Sequence, residues 1–414
     1  MRKLYDSWLR LASYCLTRLC SLNALYLEGG RSTDVNGRQF KDEWAVIMHA
    51  WIWVVARYEA GAADEAIRTL CKDFPNAGAQ LAQVSLLLHP REAIRLLEAS
   101  ASAARELRDL AGEANRLGRI GLAYAALGDS RRAAEYHERH QAIAIALGNR
   151  AGEGVALTNL GAALVDSGEF EQALRVYERR LQIARETGNR LGESKVLGNI
   201  GVVHNKLGDY VRAAEFQMQR LEIARELDDR LGEAQALGNL GICFKNLGDN
   251  RRAIELQTEK LAVVRTFGDR HGEAGALGEM AFAYMNLGEY DRALELYQES
   301  LDIAREIGAR RTEGRTLHNW AIALKRMGDV NAAIDLYQRA LDIKMGIGDR
   351  HGEARARWDL SLAHHAQGDI AQAVSEAEHA LRIFNQLGDL KGTKAVQNAL
   401  DEWRGGIDTA PAEL

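Results

Sequence analysis

The chain has 414 residues, with 53 Lys and Arg against 58 Asp and Glu for a net charge of −5. The two signs are interspersed without a basic stripe, which argues against nucleic acid as a partner, and no run of 18 apolar residues is present, which argues against a membrane span. The four cysteines, Cys15, Cys20, Cys71 and Cys243, form no CxxC pair, the pattern of reduced thiols in a cytoplasmic protein.

The first 25 residues are interrupted by Arg10 and Arg18 and do not read as a signal peptide. Residues 5–27 follow a helical period, with Trp8, Leu11, Cys15 and Leu19 on one side. Residues 29–37 are glycine-rich and predicted to be a loop. Residues 39–58 form a second predicted helix, rich in aromatics at Phe40, Trp44, Trp51, Trp53 and Tyr58. A short helix over 63–74 is expected to end at Pro75. Residues 1–75 together are predicted to cap the apolar end of a repeat array, as terminal segments must.

Residues 76–111 read as a degenerate first repeat with helices over 78–88 and 89–107. Pro90 suits the first turn of the second of these. From 112 to 390 the chain repeats every 40 residues. Glycine returns at Gly128, Gly168, Gly208, Gly248, Gly288, Gly328 and Gly368. Alanine returns at Ala133, Ala173, Ala213, Ala253, Ala293, Ala333 and Ala373, and glutamate at Glu113, Glu153, Glu193, Glu233, Glu273, Glu313 and Glu353. Seven copies in one register decide the architecture. In the copy over 152–190, Ala156, Leu160, Ala163 and Leu164 mark one helix, and Ala173, Leu174, Tyr177, Leu181 and Ala184 mark a second. Gly168 and Gly188 stand where helices end. Gly161 is expected to face Ala173 across the hairpin, and Leu181 to plug the seam to the next repeat. Residues 391–404 add one helix over the last hairpin. The tail, 405–414, has no apolar period and is predicted to be disordered. The fold class is therefore all-α, a solenoid of antiparallel helical hairpins.

Leu160-Gly161, Leu164, Ala173, Tyr177 and Leu181 resemble the tetratricopeptide repeat pattern, in its 40-residue form. The extra residues are expected to give helices of about 15 and 18 residues, near 22 and 27 Å at 1.5 Å per residue. The resemblance implies a right-handed superhelix whose first helices line a concave groove for a peptide or protein segment. A second resemblance rests on LYLEGG (25–30), FKDEW (40–44), AWIWVVA (50–56), FPNAG (74–78), LLLHPREAIRLLEAS (86–100) and LGRIGLAYAALGD (117–129). These phrases are similar to the sensor part of bacterial STAND-type signalling ATPases. The chain carries no GxxxxGK[ST] phosphate loop, so ATP hydrolysis does not carry over. The resemblance then implies a free-standing sensor array or one component of a split system, with a separate ATPase or effector as partner. In that case the surface around Trp44 and Trp51 is expected to stay partly open.

The groove position that the repeat pattern implies holds Asn159, Asn199, Asn239 and Asn319, with Glu279 and Asp359 as variants. A ladder of amides can pair with the backbone of an extended peptide; alternatively each asparagine bonds a neighbouring helix and fixes stacking. Lys206, Lys245, Lys325 and Arg326, with Lys195, Arg315 and Arg355, form either a positive groove wall or a solvated face. Trp358 is either an aromatic anchor or core. His318 and Phe282 also break the small-residue habit of the groove. The phrase pairing Arg150 with Glu153, repeated through Arg350 with Glu353, reads as structural. His137 and His140 lie three apart, but no third ligand is placed beside them, so neither a metal nor a cofactor is expected. No catalytic set has a supporting motif. The sequence thus points to a non-enzymatic binding scaffold, or to a regulatory sensor.

Overall fold

The computed structural model describes residues 2–28, 34–61, 64–77 and 89–408. Among them there are 19 helices and no strand. The chain divides into two compact units, Met1–Val203 and His204–Leu414.

In the first unit, α1 (Arg2–Glu28), α2 (Asp34–Glu59) and α3 (Glu65–Ala77) precede α4 (Pro90–Glu106), α5 (Leu110–Ala126), α6 (Ser130–Ala146), α7 (Arg150–Asp166), α8 (Phe170–Glu186) and most of α9 (Arg190–Leu207). Cys15 and Leu19 of α1, Trp51 and Val54 of α2, Ile67 and Phe74 of α3 and Leu96 of α4 share one core. Trp51 is buried with its ring stacked on Phe74 at 6.1 Å. Trp44 is partly buried against the same core. The open aromatic surface expected at Trp51 is therefore closed by the packing of α2 on α3.

Two of these boundaries differ from the expected ones. The helix α2 begins at Asp34, inside the expected loop. Pro75 lies in the last turn of α3 rather than after it; a proline there costs one backbone bond and lets the turn finish. The degenerate repeat keeps its second helix as α4, while the helix expected over 78–88 lies outside the described residues.

The second unit contains the end of α9, then α10 (Tyr210–Glu226), α11 (Arg230–Asn246), α12 (Asn250–Thr266), α13 (Arg270–Asn286), α14 (Tyr290–Glu306), α15 (Arg310–Met327), α16 (Val330–Gly346), α17 (Arg350–Gln367), α18 (Ile370–Leu387) and α19 (Leu390–Asp408). The helix α19 continues past Gly405, where the tail was expected to begin. Its buried Trp403 stacks on His365 at 4.6 Å and fixes it to the last hairpin. Residues 409–414 lie outside the described ones.

Within each unit every repeat is a hairpin packed on its neighbours. Successive first helices also touch, α5 with α7 in one unit, and α11 with α13 and α13 with α15 in the other. Most helices have 17 residues, so the first helices are longer than expected. The reason is the cap. Asp229 Oδ1 accepts from the Gly232 backbone N–H at 2.9 Å, which starts α11 three residues before its apolar pattern does. A Cβ at position 232 would lie 2.3 Å from Asp229 Oδ2, so a side chain there would displace the capping carboxylate from its present place. Gly168 and Gly188 end α7 and α8 at φ 84° and 65°, a left-handed turn that a side chain would resist.

The small residue at position 161 has a different neighbour from the expected Ala173. A Cβ there would lie 2.3 Å from Tyr177 Cε1. Gly121 faces His137 and Gly241 faces Gln257 in the same way. The repeated glutamate is buried and held twice. Glu233 takes Arg225 Nε at 2.8 Å and Arg230 Nη1 at 3.1 Å; Glu273 takes Arg265 Nε at 2.7 Å and Arg270 Nη1 at 2.6 Å. Arg225 and Arg265 come from the preceding second helices, so each clamp joins one repeat to the next. The sequence phrase showed only one arginine of each pair.

His137 and His140 are buried and point at different glycines, Gly121 and Gly118. Among the described residues no three His, Cys, Asp or Glu side chains gather as metal ligands, and no helix is long and apolar enough to cross a membrane. Burial, and then His140, push the His137 imidazole down from 6.5 to about 4. Between these values the unfolded chain binds a proton that the folded chain rejects. The stability held by the neutral ring is therefore complete above pH 6.5 and lost as pH falls towards 4. His137→Gln puts beside Gly121 the side chain that Gln257 places beside Gly241. In urea titrations from pH 7.5 to 4 it is expected to remove up to about 1.4 kcal/mol of stability loss per pH unit over that window. An unaltered slope contradicts this.

Candidate functional site

The first helices carry one position that repeats through both units: Arg119, Asn159 and Asn199 in the first, Asn239, Glu279, Asn319 and Asp359 in the second. The four asparagines are half-buried. Among the described residues none of their amides has a hydrogen-bond partner. An asparagine that fixed helix stacking would bond the adjacent helix, and these do not. The three variants are engaged. Arg119 Nη1 donates to the Pro75 carbonyl at 2.7 Å. Glu279 receives Lys245 Nζ at 2.7 Å and Arg315 Nη1 at 3.2 Å. His318 Nε2 meets Asp359 Oδ2 at 2.9 Å.

The cations expected to line a wall separate into three groups. Lys245 and Arg315 converge on Glu279, and Lys245 Nζ also sits 4.9 Å over the Phe282 ring. Burial raises the cost of charge on Glu279, yet Lys245 and Arg315 hold its carboxyl below the usual range. Arg326 Nη1 donates to Asn286 Oδ1 at 3.1 Å. Lys206 is exposed and Lys325 half-buried, and neither has an ion pair among the described residues. Trp358 stacks on Trp403 at 6.1 Å within the C-terminal core. Its partly buried ring is held by the capping helix.

A second column was not recognised in the sequence. His140, Arg180, Arg220 and Lys260 occupy one position of the second helices at the 40-residue spacing. Each reaches towards the first helices. His140 Nδ1 lies 2.8 Å from where a Cβ on Gly118 would be, Arg180 Nε 3.1 Å from that of Gly154, and Lys260 Cδ 3.2 Å from that of Gly238. Arg220 donates to Gln235 Oε1. Burial pushes the pKa of all four down. The available signal was a basic residue recurring where later copies have Ser300, Ala340 and Ala380.

Two cavities of about 320 Å³ open beside these columns. In the first unit Asn115, Arg119, His140, Asn149, Val155 and Asn159 line one of them. In the second, Arg220, Gln235, Asn239, Lys260, Glu279 and Arg315 line the other.

A family model described as tetratricopeptide repeat matches residues 152–226, 192–266, 272–345 and 312–386, more than half of the chain, and a second model of that description matches 117–151. The chain belongs to the tetratricopeptide repeat family. Among curated proteins, none matches it in sequence. In fold, this tetratricopeptide array is similar to aspartyl phosphate phosphatase F from Bacillus subtilis, with a TM-score of 0.60 at 12% identity over 86% of this chain and 95% of that one. It is also similar to a signal transduction ATPase with numerous domains (STAND) protein that has a tetratricopeptide repeat sensor, from Pyrococcus horikoshii. There the TM-score is 0.54 at 15% identity, over 86% of this chain and 54% of that one. A tetratricopeptide repeat protein from Parabacteroides merdae gives 0.50 at 17% identity, over 69% of this chain and 98% of that one. The array spans about half the length of the STAND protein, and at these identities the likeness is one of fold.

Proposed function

We propose that this tetratricopeptide array is a non-catalytic scaffold that holds an extended protein segment along its first helices. The observation that supports this is the set of open amides. Asn159 and Asn199 in one unit, and Asn239 and Asn319 in the other, are half-buried and bond nothing among the described residues. Each amide offers one acceptor and two donors, which suits the carbonyl and N–H of a peptide backbone. The first helices are fixed by packing before any ligand arrives, which lowers the ordering cost of binding.

The test is retention of a partner from native cell extract by the wild type and by Asn239→Ala/Asn319→Ala, followed by the affinity of each for the retained segment. The double variant is expected to bind on the order of 10–100-fold more weakly, since each lost hydrogen bond is worth about 0.5–1.5 kcal/mol. Its helicity and melting temperature should not fall, because the amides bond nothing among the described residues and alanine is the better helix former. Equal affinity rules out the amide ladder.

The fold likeness to a sensor-bearing ATPase supports a second reading, a regulatory subunit of a split signalling system with a separate ATPase or effector as partner. Burial of Trp51 weighs against an aromatic docking face at the N-terminal helices. An ATPase retained by both proteins favours this second reading.

A further inference from the structure

We propose that the cavity of the second unit, between α10, α11, α12, α13 and α15, binds a phosphoryl group, the tetrahedral oxyanion of a phosphate monoester. Lys260 is the first observation. Its stem lies along Gly238, its amine reaches the cavity, and it has neither an ion pair nor a hydrogen bond among the described residues. Burial of its stem pushes the Lys260 pKa down while Glu279 and Asp269 act the other way, and the same position is Ser300, Ala340 and Ala380 in later copies. Packing therefore does not explain it.

Gly275 is the second observation, independent of the first. It lies inside α13, where glycine costs roughly 0.5–1 kcal/mol relative to alanine. A Cβ there would meet no described atom closer than 3.8 Å, so no close contact demands glycine. The same position is Val155, Lys195, Gln235, Arg315 and Arg355 in other copies. Among the described residues, the two atoms near that point are Lys260 Nζ and Arg315 Nη2, each 3.8 Å away. The missing side chain thus opens space between two cations.

The donors come from separate helices. Lys260 Nζ belongs to α12. Arg315 Nη2 belongs to α15, its other terminal nitrogen being taken by Glu279. Arg220 of α10 is buried with Nη2 on Gln235 and Nε without a partner. Two carboxylates also face the cavity, and both are occupied. Glu279 is held by Lys245 and Arg315, and Asp269 caps α13 at Gly272 N, 2.8 Å. Two cations approaching the space from different helices, with Arg220 lining the same cavity, suit the several terminal oxygens of a phosphoryl group better than the two in-plane oxygens of a carboxylate. The inference does not require the amide ladder, since a phosphate monoester on a small molecule and one on a bound segment offer the same group.

The experiment is calorimetric titration of the full chain at low salt with phenyl phosphate, and with benzoate as the planar monoanion. Wild type is compared with Lys260→Met, which keeps the stem, and Gly275→Gln, which places in the space the side chain found at Gln235. Wild type should bind phenyl phosphate saturably and at least tenfold tighter than benzoate. Affinity should fall at least tenfold in Lys260→Met and be lost in Gly275→Gln. Gly275→Gln should melt at or above the wild-type temperature, because it loses an interior helix glycine, and Lys260→Met, which keeps the stem, should melt near it. Phosphoserine alone and within a peptide then separate the sources: tighter binding of the peptide assigns the group to a segment, equal binding to a small molecule, and both outcomes support the phosphoryl site. No saturable binding, equal affinity in the variants, or benzoate bound as tightly overturns it. Failure here leaves the asparagine double variant, which lacks neither Lys260 nor Gly275, as a separate test of the peptide reading.

Discussion

Arg116→Ala is expected to destabilise the first unit by about 3–5 kcal/mol. The guanidinium is wholly buried. Its Nη2 donates to the Lys72 carbonyl, Nη1 to the Gly112 carbonyl at 2.6 Å and Nε to Ser100 Oγ at 3.3 Å. It therefore ties α3, α4 and α5 together where α3 ends. Burial pushes its pKa down while Asp109 and Asp73 act the other way. Truncation removes every donor, leaves the Lys72 carbonyl and Ser100 competing for fewer partners, and opens a hole the size of the side chain. Repeat arrays open locally, so hydrogen exchange should show lost protection in α1 through α4 and none in α13 through α18. An unfolding midpoint equal to that of the wild type contradicts the assignment.

Gly161→Val is the second large effect, a loss of about 1–3 kcal/mol from overpacking. A Cβ at 161 would lie 2.3 Å from Tyr177 Cε1 and 2.5 Å from Cζ, and the ring is itself buried. The backbone at 161 is ordinary helix, so the obstacle is the ring alone. Tyr177→Ala by itself costs about 3–5 kcal/mol for the cavity. Combined, valine fills part of the space the ring leaves, and the double variant should be more stable than the sum of the single losses by about 1–3 kcal/mol. Additive losses in a urea-denaturation cycle show that the two side chains do not meet.

These two residues show what could be read from the sequence. Spacing alone put a small residue at Gly161, because seven copies expose any fixed position. It named the wrong neighbour because counting from Gly161 to Ala173 ignores the direction of the side chains, and the ring of Tyr177, one turn further on, fills the gap. Arg116 gave no signal, since two of its three partners are backbone carbonyls and carry no residue type. The asparagine column was legible because it repeats, although only the structure separated open amides from bonded ones. Lys245 and Arg315 looked free because their acid, Glu279, sits in the asparagine position of a neighbouring copy, 34 and 36 residues away. The basic column of the second helices was missed because helical periodicity assigns long charged residues to solvent, and a lysine whose stem lies along a glycine is half-buried without breaking the period. Trp358 was ambiguous until its partner Trp403, beyond the last repeat, was placed.

The most direct measurement of the central claim is photo-crosslinking in native cell extract, with a benzoylphenylalanine placed at Asn239 on the first-helix face or at Glu255 on the exposed face of α12. Capture of one protein through a single segment at 239, and not at 255, is the expected result. Capture at 255 with none at 239 contradicts the claim that the first helices hold the ligand.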